Sequence, residues 1–171
     1  MSREREIQRK SQYFTNPGHL SSSKDVSENP AIVPNTKGIY GWYFDILPPD
    51  TPKGSVSVDG HTLLYIGIAG AAPDSRSTLR KRICSNHLGK HSTPQSTLRR
   101  TLGALLRGQL DLVRYPKAGK KYWYGPDGEA RLRRWMIDHT ILAWQEDDTP
   151  REVEAAILSS GLIILPLNKI R

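Results

Sequence analysis

Two stretches constrain this chain more than any others: GIYGWYFDIL at 38–47 and HTLLYIGIAG at 61–70. Both are dense in aromatic and β-branched residues, which suit a pleated, half-buried surface, so each is predicted to be a strand. Between them lies PPDTPKGSVSVDG, 48–60, whose prolines and glycines mark a turn-rich loop. Consecutive strands joined in this way pair most simply as antiparallel neighbours.

The remainder reads mainly as helix. SRSTLRKRICSNHL, 75–88, is predicted to be helical with Ser75 or Ser77 as its cap. Leu98, Leu102, Leu105, Leu106 and Leu110 recur at three- and four-residue spacing and predict a second helix. KAGKKYWYG forms a basic, aromatic loop or strand edge. EARLRRWMIDH predicts another helix, and TILAWQE supplies a third strand. The pattern is α+β: a small three-stranded, mainly antiparallel sheet flanked by helices. Residues 1–30 are polar with little periodicity and read as an arm or loosely ordered extension. Residues 31–171 then form one domain.

The last helix carries an anomaly. In TPREVEAAILSSG, 149–161, Thr149 suits the N-cap, Pro150 the first helical position and Gly161 the C-cap. Glu152 has capping-box spacing from Thr149, which gives it a structural task. Glu154 has none. At about 100° per residue it projects between Ile157 and Leu158, inside the apolar arc that Val153 helps to form. A carboxylate there is costly unless something polar or cationic meets it.

Charge narrows the function classes. Lys and Arg number 25 against 17 Asp and Glu, a formal net charge of +8. Such a surface favours a polyanionic partner, nucleic acid first. No apolar run reaches the roughly 20 residues of a membrane span, and MSREREIQRK has no apolar segment of a secretory signal. The single cysteine, Cys84, cannot form an internal disulfide and suits a reducing cytoplasm.

GIY at 38–40 and YIG at 65–67, separated by one loop, resemble the paired signature of the GIY-YIG nucleases. That family places an arginine on the next helix, a glutamate on a later one and an asparagine near the end. Arg82, Glu154 and Asn168 stand in that order, Asn168 within a PLN ending typical of many members. The resemblance spans about residues 36–170. It implies a divalent ion, Mg²⁺ or Mn²⁺, on Glu154. One carboxylate suffices, because Mg²⁺ keeps several waters and takes other oxygens from substrate phosphate. It further implies that Tyr40 and Tyr65 handle the proton and position the phosphate, with Tyr40 taken as the base. Arg82 would clamp the scissile phosphate, and Asn168 would order the site.

One position departs from the pattern. Many members carry histidine four residues after the arginine, where this chain has Asn86, with His87 next. On a regular helix Arg82 and His87 fall on opposite edges of the apolar side that Leu79 and Ile83 define. Either Asn86 fills the place, or a distortion brings His87 round; His87 is taken as catalytic because imidazole titrates near neutrality. In an extended strand Tyr65 is expected to share its side with Leu63 and Gly67.

Rival motifs are weaker. Cys84, His87 and His91 have ligand-like spacing for zinc but lack a fourth partner. NHLGKH has the wrong order for a His-Asn-His nuclease, and no Pro-Asp pair is followed by the acidic-x-Lys that another nuclease class needs. KHSTPQSTLRR and KAGKKYWYG are candidates for contact with a nucleic-acid backbone. The expectation is a Mg²⁺-dependent endonuclease acting on DNA, as a homodimer if it cuts palindromes. A catalytically silent binding module of the same fold, or a structure-specific repair nuclease, are the alternatives.

Overall fold

The computed structural model describes residues 2–119, 121–161 and 163–169, Lys169 by its backbone alone. In chain order its strands are β1 (Ser21–Ser22), β2 (Gly38–Phe44), β3 (Ser57–Val58), β4 (His61–Ala69), β5 (Tyr115–Pro116), β6 (Tyr122–Trp123) and β7 (Thr140–Glu146). The helices are α1 (Arg3–Gln12), α2 (Ser23–Glu28), α3 (Thr97–Leu105), α4 (Gly125–His139), α5 (Pro150–Ser160) and α6 (Pro166–Lys169).

The main sheet has five strands rather than three, ordered β1-β7-β2-β4-β3, with antiparallel neighbours throughout. Its three long central strands are those expected from the sequence. The added edge strands are two residues each, too short to show any alternation. β5 and β6 form a separate hairpin. No helix among the described residues is long and apolar enough to cross a membrane.

β2 is buried along its whole length because strands flank it on both sides and helices cover both faces. On one face Tyr40, Trp42, Phe44, Leu64 and Tyr65 meet Leu79, Ile83, Leu98 and Met136. On the other, Ile39, Tyr43, Leu63 and Ile66 meet Phe14, Val153 and Ile157. Strict alternation in β4 fails at one place. Trp42 pairs with Tyr65 and Tyr43 with Leu63, so Leu64 is an extra residue, a bulge. The bulge puts Leu64 and Tyr65 on the same face and turns Leu63 to the opposite one. Tyr65 therefore does not share a side with Leu63.

Residues 2–30 take up defined elements rather than a loose extension. α1 lies along α5, and Lys10 Nζ sits 2.7 Å from Asp147 Oδ2, just past β7. Phe14 and Val26 are fully buried, and β1 extends the sheet beside β7. The polar composition concealed this because α1 docks through its edges and ion pairs and buries none of its own residues completely.

α5 runs as expected to Gly161, which closes it at φ +66°. The capping box is absent, however: Thr149 Oγ1 donates to Asp147 Oδ1, and Glu152 accepts from Arg3 of α1.

Candidate active site

The two tripeptides interlock across β2 and β4. Tyr40 lies opposite Gly67, and a Cβ placed on Gly67 would fall 2.4 Å from the Tyr40 hydroxyl oxygen. That glycine is therefore required by the phenol ring beside it. Trp42 pairs with Tyr65, so both tyrosines point to the same side of the sheet.

The segment after β4 closes over them. Its helix begins at Leu79, not at 75, with Thr78 Oγ1 accepting from the Lys81 amide. From Lys81 to His87 it is a π-helix, marked by the bond from Leu88 N–H back to the Ile83 carbonyl. On an α-helix residues five apart lie about 140° from each other; the wider π turn brings Arg82 and His87 towards one side. The distortion that would turn His87 inward is thus present. Tyr40 Oη and His87 Nε2 share a hydrogen bond of 2.7 Å. On the far side of the ring, His87 Nδ1 lies 2.7 Å from Ser96 Oγ, which also caps α3 by accepting from Arg99 N–H. The Trp42 and Tyr65 rings stand nearly perpendicular to the imidazole in T-shaped contacts.

Burial sets the electrostatics. Tyr40 and His87 are inaccessible to solvent, while Tyr65 keeps 7% exposure. Burial drives the Tyr40 hydroxyl far above the usual tyrosine range, and Arg82 opposes this only in part. Tyr65 is raised for the same first reason, with Arg82 and Arg100 pulling it back. His87 is lowered well below its ordinary value by burial, then by Arg82 and Arg99, so the imidazole is neutral. Arg82 is half-buried, and its Nε has no hydrogen-bond partner among the described residues. Such a donor, next to two phenols, matches an arriving anion.

Glu154 is half-buried, at the border of the apolar arc rather than inside it: Val153 and Ile157 are buried, but Leu158 is 46% exposed. Its charge is felt at Tyr40, Tyr65 and Arg82. Among the described residues no group of three or more His, Cys, Asp or Glu could hold a metal ion. A site offering one carboxylate, Glu154, fits a hydrated cation that brings its own waters, and does not fit a caged one. Asn168 takes no part in this cluster. Its Oδ1 accepts from Ile66 N–H at 2.8 Å and its Nδ2 donates to the Ile66 carbonyl at 2.7 Å, which fixes the backbone next to Tyr65.

The zinc-like spacing dissolves in three dimensions: His87 faces Tyr40, whereas exposed His91 meets the Trp123 ring. Arg80 Nε donates to the Val33 carbonyl at 2.8 Å. One further expectation needs correction. Arg99, counted among backbone-contacting residues, is fully buried and paired with buried Glu129. Its guanidinium also donates to the carbonyls of His87 and Gly89 at 3.1 Å, anchoring the end of the π-helix.

Ser96, Arg99, Glu129 and Thr93 are not among the catalytic residues expected from the sequence. The available signal was a charge within an apolar stripe: Arg99 precedes Leu102 and Leu106 at three and seven residues, as Glu129 precedes Leu132 and Met136.

Comparison with curated proteins and with solved structures returned no match. The family model of the GIY-YIG catalytic domain matches residues 38–171, from the first tripeptide to the chain's last residue. The chain belongs to the GIY-YIG family of nuclease catalytic domains.

Proposed function

We propose that this protein is an endonuclease that hydrolyses DNA phosphodiester bonds with a divalent ion, Mg²⁺ or Mn²⁺, on Glu154. The observation that carries the reading is the 2.7 Å contact of Tyr40 with a neutral, buried His87, beside the unpartnered Arg82 Nε.

Neutral imidazole has one donor and one acceptor nitrogen. Ser96 Oγ, after accepting from Arg99 N–H, keeps a lone pair for His87 Nδ1–H. Nε2 is then the acceptor of the Tyr40 hydroxyl. As the water oxygen attacks phosphorus, the water proton passes to Tyr40 Oη while the hydroxyl proton moves on to Nε2, and Arg82 offsets the charge that builds on the phenol oxygen. The P–O bond to the leaving oxygen breaks, and that oxygen is protonated from solvent. Arg82 holds the phosphate through its planar fork. Tyr65, slightly open to solvent, donates its hydroxyl to a phosphate oxygen. A bound divalent ion would supply positive charge for the phosphate and the leaving oxygen. Asn168 acts at one remove, through the β4 backbone.

Conversion of supercoiled plasmid to nicked or linear DNA tests the reading. Wild type should cut with Mg²⁺ or Mn²⁺ and not with EDTA, and Glu154→Gln should bind DNA without cutting. Binding with no metal-dependent cutting by wild type would replace the enzyme by a silent binding module. Preference for branched over intact duplex would assign a structure-specific role instead.

A further inference from the structure

The β5–β6 hairpin and the loop after the π-helix together form a surface that the catalytic cluster does not use. Lys117 Nζ stands 4.4 Å from the centre of the Trp123 ring, and the His91 ring meets the same indole at 5.7 Å. Beside them Lys90, His91, Arg133 and Arg134 line a cleft of about 300 Å³ to which no carboxylate contributes among the described residues. Lys90, His91, Lys117 and Arg134 are exposed, although Arg134 shares its charge with Asp138. Arg133 is held in place by donating to the Leu88 carbonyl at 2.6 Å. The indole fixes a lysine that would otherwise sweep solvent, which lowers the entropy lost when its ammonium meets an anion.

This surface is tethered to the catalytic cluster. Only three residues separate His91 from His87, four peptide steps in all, so their Cα atoms lie within about 14 Å. Along one DNA strand phosphates follow every ~3.4 Å of helix axis, so this reach covers about four of them.

We infer that the ridge formed by Lys90, His91, Lys117, Trp123, Arg133 and Arg134 is a clamp for the phosphodiester backbone flanking the scissile phosphate. The inference rests on the nuclease reading. It assigns affinity rather than sequence choice, because phosphate contacts carry no base information.

The test measures binding of duplex DNA as a function of salt, with EDTA present, for the parent chain and two variants. Lys90→Gln/Lys117→Gln removes two ridge charges, and Arg5→Gln/Arg9→Gln removes two exposed charges from α1, on the other face of the sheet. Each lost phosphate contact lowers the slope of log K against log salt by ~0.9. The ridge variant should therefore lose about 1.8 from the slope, alike on unrelated sequences, while the α1 variant keeps the parental value. Circular dichroism verifies that both remain folded. Equal slopes for parent and ridge variant, with the parent still cutting plasmid, overturn the clamp and leave the nuclease reading intact. A parent that neither binds nor cuts any nucleic acid overturns both.

Discussion

Tyr40 and Tyr43 lie three residues apart on one strand, on opposite faces of the sheet, and both are fully buried. Burial raises the hydroxyl of each far above the ordinary range. Their partners differ. Tyr43 Oη donates to the Phe14 carbonyl at 2.7 Å, a group that cannot take the proton. Tyr40 Oη meets an imidazole nitrogen at the same distance, with Arg82 and Glu154 acting on it. A buried, perturbed tyrosine is therefore not by itself a reactive one. What makes Tyr40 useful is a neighbour able to accept a proton and a cation able to hold the resulting charge.

The largest expected contrast is kinetic. Tyr40→Phe should reduce plasmid cutting by about 10²–10⁴-fold, while DNA binding with EDTA stays near wild type. If Tyr43→Phe loses as much activity while folded, the distinction between the two faces collapses. Next in size, Arg99→Met should destabilise the chain by about 3–5 kcal/mol in denaturant melts, because it leaves the Glu129 carboxylate buried without its partner. Arg99→Met/Glu129→Met should recover much of that loss. Tyr43→Phe should cost about 1–3 kcal/mol through the unsatisfied Phe14 carbonyl, with the cutting rate of folded protein unchanged.

A pH series separates the faces as well. His87 binds its proton less readily when folded than when unfolded. Below an unfolded value of about 6.5, the unfolded chain takes up the additional proton, so stability falls as pH drops. It should do so by ~1.4 kcal/mol per pH unit until the folded group titrates. His87→Gln should remove that component from a series of melts between pH 6.5 and 4.5, whereas Tyr43→Phe should leave it in place. An unchanged slope in His87→Gln would mean that His87 is not held neutral.

Why some of this was legible follows from range. GIY and YIG carry their meaning locally, as strand propensity and as glycines that make room for a phenol, and the pairing of β2 with β4 follows from them. The capping glycine of α5 is likewise a local signal. The π-helix is not: KRICSNH has no residue that demands it, and part of its support comes from Arg99, twelve positions beyond His87. The Leu64 bulge is equally silent, since Leu63, Leu64 and Tyr65 would suit a regular strand. Glu154 was conspicuous because an unexplained charge sat in an apolar stripe. Arg99 and Glu129 gave the same sign, but each had an ordinary alternative, a basic cluster for one and a helix start for the other. The docking of residues 2–30 was hidden because its anchors are ion pairs, a two-residue edge strand and two isolated apolar side chains, Phe14 and Val26.

The amide of Asn168 has a consequence for how the molecule behaves in a crowd. Beyond the two-residue β3, the outer rim of β4 would present the Ile66 N–H and C=O as an open template for a stranger's backbone. One side chain occupies both positions and ends the ladder there. Asn168→Ala would then lose more than the alignment of Tyr65: it would uncover a sticky rim in the hydrophobic sequence LLYIGIA. Loss of cutting by that variant should come with concentration-dependent assembly, visible by light scattering. If the variant stays monodisperse and merely slow, the amide serves the site alone.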